Sequence, residues 1–475
     1  MTGVSASSIR AVPPFAAPGV EHGSPVPAST VAMFLNSGRS ADAASILVPA
    51  GAEIWFSSST ALPVAPRSFA AAGDVLARLI APGRDDSQTL NIKYWFDRLR
   101  SRLVDRFGIP DAEAVLVPCG AQAGYLAARL AQGLLARPLS EIIVGPSETE
   151  RGDMRLNGCE TQAIAIRDAA GYPRDPAAIN REAAARVAYA LAAGRDVLLH
   201  VLDASQTGLA GMTREAARAL ADQAPGRIAI IVHACPFRSE PARLHHDLEA
   251  GCMVAITDSQ FAGGASFAGA LLLPPAIVGR LRLAPRLIAE FGVASARFDW
   301  PEVLRDSFAA ELDTPVNLGL GLRWEAAFAV IEPYLALPQA FRRQILTWFA
   351  GAVHRRVAAR PHLRQIAGEP SRSKTITPIE TLGPAATLAG AALLHAGLAA
   401  PQAPFGAPQR LTRACHLGRP VQIGARAALR VCASMPMVLD IAGRVAQGSK
   451  IEAAVAPVTD DLDVLFEKWD WLAAG

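Results

Sequence analysis

Residues 254–273 read VAITDSQFAGGASFAGALLL, and this stretch gives the strongest indication of the fold. Its first apolar run has the length of a buried strand, a polar turn and a Gly-rich loop follow, and the second apolar run again has strand length. Between about residue 110 and this stretch, apolar runs of this length alternate with stretches of helical spacing. Such alternation is typical of βαβ units, which form a mostly parallel sheet covered by helices on both faces.

The spacing predicts seven strands in this part of the chain and a smaller α+β region after it. The predicted strands are 114–117, 141–144, 162–166, 197–202, 227–233, 252–257 and 268–273, with helices at 122–134, 176–192, 214–223 and 242–250. Further helices at 339–359 and 385–400, with strands at 374–377 and 428–433, predict helices packed on a small antiparallel sheet. Because single cores stop growing at roughly 250–300 residues, we expect three segments: a flexible arm at 1–50, a large α/β three-layer domain at 51–316 and a small α+β domain at 317–475.

Composition excludes several classes of function. The 46 basic and 43 acidic residues are scattered without blocks, so no nucleic-acid or anionic-membrane surface is expected. Residues 1–30 contain five prolines and no apolar signal region, which indicates a loose arm. The apolar stretch 385–400 falls short of the about 20 residues that span a bilayer. Six cysteines without a CxxC pair indicate reduced thiols and a cytoplasmic protein.

The 254–273 stretch resembles the lysine-bearing segment of fold-type-I pyridoxal-phosphate (PLP) enzymes, in the branch of class V aminotransferases and cysteine desulfurases. The residues that keep the pattern are Thr257, Phe261, Gly263, Gly264, Gly269, Ala270 and Leu271. Gln260 stands where the family has its reactive lysine, and a carboxamide cannot form a Schiff base because its nitrogen lone pair is delocalised. None of the chain's four lysines follows a strand-like run beside a Gly-rich loop, so a relocated catalytic lysine is not expected.

The resemblance extends from about residue 55 to the C-terminus and includes a phosphate turn. VLVPCGAQAGYLAARL, from Val115, is a strand that ends in a Gly turn and opens a helix. The N–H groups and positive end of that helix could hold a phosphate through Gly120, Ala121 and Gln122, although an ordinary βα junction has the same pattern. The resemblance also implies a cofactor contact for Thr257. Where the family has two hydroxyl residues in the turn, this chain has cysteine and alanine.

A second motif resembles the strand that supports the cofactor ring. IAIIVHACPFR, from Ile228, carries His233 where the family has the aspartate that pairs with the protonated ring nitrogen, and Cys235 or Pro236 where it has glutamine. A neutral imidazole cannot stabilise a pyridinium as a carboxylate does, and a cationic imidazole would repel it. The resemblance therefore implies that ordinary Schiff-base chemistry is lost, and that PLP, if bound, is held noncovalently.

Two further strand ends could line a polar pocket. LLHVLDASQTGLAG, from Leu198, matches the turn over the cofactor face, and IIVGPSETERG, from Ile142, matches the strand that supplies a stacking group. The candidates in these segments are His200, Asp203, Glu148 and Thr149. Asp203 and His233, at adjacent parallel strand ends, could form an acid/base pair. The alternative is that His233 is a core histidine whose hydrogen bonds are satisfied.

The C-terminal region contains a candidate substrate residue. CHLGRPVQIGARAALRVCAS, from Cys415, resembles the small-domain segment in which an arginine grips a substrate carboxylate, and Arg430 is the matching residue. A structural ion pair is the alternative. No metal site is predicted, because His245, His246 and Asp247 follow one another along a helix and such neighbours do not face one site.

These observations leave two functional hypotheses. The first is a degenerate, non-catalytic protein of the PLP-transferase fold, acting as a structural or regulatory partner in a homodimer or in a heterodimer with an active relative. The second is an enzyme of amino-acid or amine metabolism that binds PLP, pyridoxamine phosphate or another carboxylate ligand noncovalently, with His233 and Asp203 as acid/base groups.

Overall fold

The computed structural model describes residues 26, 28–36, 53–58, 62–80, 87–149, 156, 158–235, 237–257, 261–263, 268–283, 295–308, 312, 314, 316–366 and 374–474. The fold in this part of the chain is built on two sheets, one of seven strands and one of five.

The seven-stranded sheet confirms the predicted fold class. Its strands are β2 (Glu113–Val117), β3 (Leu139–Val144), β4 (Glu160–Ile164), β5 (Asp196–Leu202), β6 (Ile228–Ala234), β7 (Met253–Thr257) and β8 (Gly269–Leu273). They lie in the order β2-β8-β7-β6-β5-β3-β4. All neighbouring pairs are parallel except those that β8 makes with β2 and β7. Each predicted strand is present, because buried central strands carry a continuous apolar run that the sequence displays.

Helices cover this sheet on both faces. Helix α4 (Gly120–Leu134) and α8 (Pro275–Arg282) pack on one face, against residues such as Leu198, Ile231 and Ala255. The opposite face packs against α3 (Ser87–Asp105), α5 (Pro176–Ala192), α6 (Arg214–Gln223), α7 (Pro241–Glu249) and α10 (Leu318–Ala336). The first turns of α5 and α6 are capped by side-chain oxygens of Asp175 and Thr213, which fixes where these helices begin.

The second sheet belongs mainly to the C-terminal region. Its order is β1-β11-β12-β10-β9, with β1 (Ile54–Phe56), β9 (Leu363–Gln365), β10 (Ile376–Thr381), β11 (Cys415–Ile423) and β12 (Arg426–Cys432). The helices around it are α11 (Gln339–Ala358), α12 (Leu388–Ala399), α13 (Met435–Ala446) and α14 (Ile451–Ala474). Strand β1 pairs parallel with β11, so a segment that we assigned to the large domain at 51–316 lies in the small sheet.

The predicted arm at 1–50 also needs a correction. Residues Ala28–Asn36 form helix α1, which packs on α2 (Pro66–Ile80) and α10. Val31 and Leu35 are buried there, and Arg323 of α10 donates to the carbonyl of Phe34 at 3.1 Å. The Pro- and Ala-rich composition concealed the helical spacing of these two apolar residues. The remaining helix is α9 (Glu302–Phe308). No helix among the described residues is long and apolar enough to cross a membrane.

Candidate functional site

The predicted phosphate turn is tightly packed. Cys119 precedes α4 without capping it through its side chain. A Cβ atom placed on Gly120 would lie 3.1 Å from the Sγ atom of Cys235 and 3.6 Å from the Cγ2 atom of Thr257. Gln122 turns its side-chain oxygen inward, where this atom is buried and has no hydrogen-bond partner in the described part of the chain. The structure therefore brings two of the cofactor-binding candidates, Gly120 and Thr257, together, with Cys235 beside them.

His233 lies deeper under the same helix. Its Nε2 atom is 2.8 Å from the Nδ1 atom of His200, and the two rings stack with centroids 5.1 Å apart. A Cβ atom on Gly124 of α4 would come within 3.2 Å of the His233 ring. On the far side, His200 Nε2 lies 3.9 Å from a carboxylate oxygen of Glu141, and both residues are buried. Half-buried His233 thus ends a carboxylate–histidine–histidine row whose other two members are buried.

Asp203 has partners other than the predicted one. Its carboxylate accepts from Arg214 Nη1 at 2.8 Å and from the hydroxyl of Ser239, and Arg243 Nε lies 3.6 Å away. Arg214 in turn holds Asp247 at 2.7 Å. The predicted acid/base pair of Asp203 and His233 is therefore replaced by two separate contacts, one to Arg214 and one to His200. Sequence could place the strand ends together but not the directions of their side chains.

Glu148 belongs to a buried network. Arg167 Nε donates to one of its oxygens, and the hydroxyls of Ser205 and Thr207 donate to the other, the Ser205 bond being 2.7 Å long. Arg167 also donates to Thr207 at 2.8 Å. Thr149 donates to the carbonyl of Pro146 at 3.2 Å. The polar group predicted at this strand end exists, and its carboxylate is neutralised by an arginine that the sequence analysis did not single out.

Arg430 is buried at the junction of the two sheets. Its guanidinium donates to the carbonyl of Arg419 at 2.8 and 3.2 Å and to the carbonyl of Gln206 at 3.3 Å. Gln206 lies in the turn after β5, so Arg430 connects strand β12 to the large sheet. These main-chain contacts hold the guanidinium between the two sheets.

Gln260 lies outside the described residues. The described residues do not fit the covalent cofactor chemistry of the resembled family. The amide at position 260 is not a Schiff-base amine, and the imidazole at position 233 is engaged with a second imidazole. We therefore derive no reaction step through PLP.

A cleft between the two sheets contains cations that the sequence analysis missed. It has a volume of about 320 Å³ and is lined by Asp203, Ala204, Arg238, Ser239, Glu240, Arg243, Gln339, Arg343, Leu346, Thr347, Lys374 and Thr375. A signal was available, since Arg238 and Ser239 follow β6 and ligands bind beyond the carboxyl ends of parallel strands.

The histidines of α7 are closer to each other than predicted. Ligand atoms of His245, His246 and Glu249 all lie within 4.8 Å of one another. Glu249 lies 3.8 Å from His245 Nε2 and 3.5 Å from His246 Nδ1, because its carboxylate reaches back along the helix by three and four residues. Asp247 does not join them and binds Arg214 instead.

Comparison with known proteins shows the fold. No protein-family model and no curated protein sequence matches this chain. The cysteine desulfurase CsdA from Escherichia coli superposes with a TM-score of 0.55 and 13% identity, covering 89% of this chain and 95% of that chain. The phosphoserine aminotransferase SerC from Cytophaga hutchinsonii gives 0.53 and 14%, covering 83% and 97%. A C-DES variant with glycine covalently linked to its PLP cofactor gives 0.54 and 13%, covering 83% and 96%. The chain has the fold of PLP-dependent transferases.

Proposed function

We propose that this chain is a non-catalytic protein with the PLP-transferase fold, acting as a structural or regulatory partner. The observation that carries the proposal is the contact between His233 and His200 at 2.8 Å under helix α4. The PLP enzymes that the chain resembles use a carboxylate at this position to keep the ring nitrogen protonated. An imidazole bonded to a second imidazole supplies no negative charge there.

Another predicted catalytic position supports the same conclusion. Asp203 neutralises Arg214, so it does not offer the acid/base contact that the enzyme hypothesis assigns to it. The alternative, noncovalent PLP chemistry with His233 and Asp203 as acid/base groups, requires those two side chains to act on one substrate. Their separate partners weigh against it.

A partner role needs a surface for association. Large apolar side chains are exposed on three neighbouring helices at the start of the fold, with Met33 61%, Ile80 57% and Tyr94 65% exposed. Exposed apolar side chains favour protein–protein contact where they form one continuous patch. We propose a homodimer, or a heterodimer with an active relative. Sedimentation of the purified protein at micromolar concentration is expected to show a dimer, and a monomer at all concentrations would count against homodimer formation.

The test of lost catalysis is spectroscopic. The purified protein is mixed with PLP, treated with borohydride and digested for peptide mass mapping. We expect no visible band beyond that of PLP in solution and no lysine labelled stoichiometrically. Because any exposed lysine labels weakly with PLP, the Lys450→Met variant serves as the matched control, since Lys450 is exposed and lies outside both sites. One lysine labelled to one equivalent, with an accompanying visible band, would overturn the proposal.

A further inference from the structure

The cationic cleft lies on the opposite side of the large sheet from the phosphate turn. Helix α4 packs on the face that carries Ile231 and Ala255, whereas Asp203 at the cleft is held by Arg214 of α6, which packs on the other face. The opposing wall is formed by α11 and by the residues that lead into β10. The cleft is therefore a separate site, built where the two sheets meet.

The acidic side chains that line this cleft are already neutralised. Asp203 and its neighbour Asp247 share Arg214, with Arg243 3.6 Å from Asp203. Glu240 holds Arg342 at 2.8 Å. Among the described residues no carboxylate forms an ion pair with Arg238, Arg343 or Lys374. These three cations therefore give the cleft an excess of positive charge.

Arg238 is the most constrained of the three. Its guanidinium is half-buried, donates to the hydroxyl of Thr375 at 2.6 Å and to the carbonyl of Ser58 at 2.7 Å, and lies 4.7 Å above the Phe261 ring. Its Nε atom is buried and has no hydrogen-bond partner in the described part of the chain. Burial lowers the pKa of Arg238 to about 10, so this side chain still carries its charge at neutral pH.

Arg343 and Lys374 stand at the entrance. Both side chains are exposed, and Lys374 Nζ donates to the hydroxyl of Thr347 at 3.0 Å, one turn along α11 from Arg343. Leu346 adds an apolar patch to the same wall. The cleft thus combines a constrained guanidinium, two exposed cations, hydroxyl donors and one apolar contact.

We propose that this cleft binds a small organic anion with at least two acidic groups, a compact phosphorylated or polycarboxylic molecule. Cations that converge without carboxylate partners favour a ligand with more than one negative charge. The volume of about 320 Å³ suits a small molecule with few carbon atoms. The site shares Asp203 with the predicted acid/base pair, but its three cations, Arg238, Arg343 and Lys374, belong neither to that pair nor to the phosphate turn.

Isothermal titration tests the site, with inorganic pyrophosphate and citrate as probes and glucose as the uncharged comparison. Binding by the phosphate probe and the carboxylate probe separately identifies which acid group the cleft prefers. We expect the Arg343→Met/Lys374→Met double variant to bind the better probe at least tenfold more weakly than the unaltered protein. Arg355→Met is the matched control, because Arg355 is exposed on the same helix, about 18 Å farther along. Its affinity should change by less than twofold.

A second variant tests the contribution of Arg238 to binding. Arg238→Lys keeps the charge and loses the planar fork, so we expect weaker binding of the probe with circular dichroism unchanged. The proposal is overturned if neither probe binds at millimolar concentration, or if Arg355→Met weakens binding as much as the double variant does. PLP labelling confined to Lys374 and suppressed by pyrophosphate would support the cleft while contradicting the absence of lysine-bound cofactor, so the two proposals fail separately.

Discussion

The two faces of the large sheet differ in the space and charge that they offer to a ligand. On the α4 face, the positions that bind the cofactor in the resembled family are packed against one another, with Cys235 against Gly120 and His233 against His200. On the α6 and α7 face, the strand ends open into a cleft where Arg238, Arg343 and Lys374 have no carboxylate partner among the described residues. We propose that the first face no longer supports cofactor chemistry, whereas the second has the charge and volume for a ligand.

This difference separates a fold from the function built on it. The same βαβ arrangement supplies a helix N-terminus on one face and converging strand ends at the edge of the sheet. This chain keeps the scaffold with glutamine at position 260 and histidine at position 233. Cations contributed by the C-terminal region can then create a second site on the other face of the sheet.

Arg430 gives the largest expected effect, because it connects the two regions. Arg430→Ala removes a buried guanidinium that donates to the carbonyls of Arg419 and Gln206. Losing these donors and leaving a cavity should lower the free energy of unfolding by about 3 kcal/mol. Urea denaturation measures the change. Arg410→Ala is the control, since the exposed Arg410 pairs with Glu467 at the surface and should cost about 1 kcal/mol or less.

The opposite result for Arg430 would change the interpretation of this residue. If Arg430→Ala were as stable as Arg410→Ala and lost the thermal shift induced by small amino or keto acids, Arg430 would be a ligand residue. A carboxylate site would then remain at the junction of the two sheets, and the proposed loss of ligand binding there would be wrong.

Substitutions that change the packing around His233 should have a smaller effect on stability. Gly124→Ala should gain about 1 kcal/mol of helix propensity, but its Cβ would lie 3.2 Å from the His233 ring, so we expect little or no gain. In the His233→Ala background the ring is absent and the same substitution should stabilise the protein by about 1 kcal/mol. Thermal unfolding of the four proteins in this cycle measures the coupling.

Gly279 of α8 is the control for that cycle. A Cβ at Gly279 meets nothing within 4 Å, so Gly279→Ala should stabilise both backgrounds equally. If Gly124→Ala stabilised the unaltered protein as much as Gly279→Ala does, the α4 face would have more room near His233 than a closed site allows.

The local parts of the fold could be predicted, and the long-range pairings could not. The seven strands follow from apolar runs, and α5 and α6 begin where predicted because Asp175 and Thr213 cap them. Strand β1 escaped prediction because three residues acquire strand structure only through pairing with β11. Helix α1 was missed because its stability comes from packing on α2 and α10, which composition does not report.

The adjacency of the strand ends could be predicted, and the side-chain contacts could not. Sequence order located His233 and Asp203 at adjacent strand ends, and β5 and β6 are neighbours in the sheet. It could not show that Asp203 turns towards Arg214, or that Arg238 reaches Thr375, because these pairs are distant along the chain and depend on side-chain direction. The arginine side chain is long, so its partners are determined by the tertiary fold rather than by spacing along the sequence.

The last prediction concerns position 260 and has the smallest expected effect. Gln260→Lys supplies the missing amine, yet His233 remains bonded to His200 and no carboxylate stands at the ring-nitrogen position. A lysine alone restores covalent attachment without the electron sink that transamination requires. We therefore expect PLP to label Lys at this position after borohydride, with no transamination of alanine or glutamate above that of the unaltered protein. The Gln260→Lys/His233→Asp protein is the matched comparison, and any activity should arise there first. Substantial transamination by Gln260→Lys alone would show that the histidine does not disable the site, and the α4 face would be one substitution away from an active enzyme.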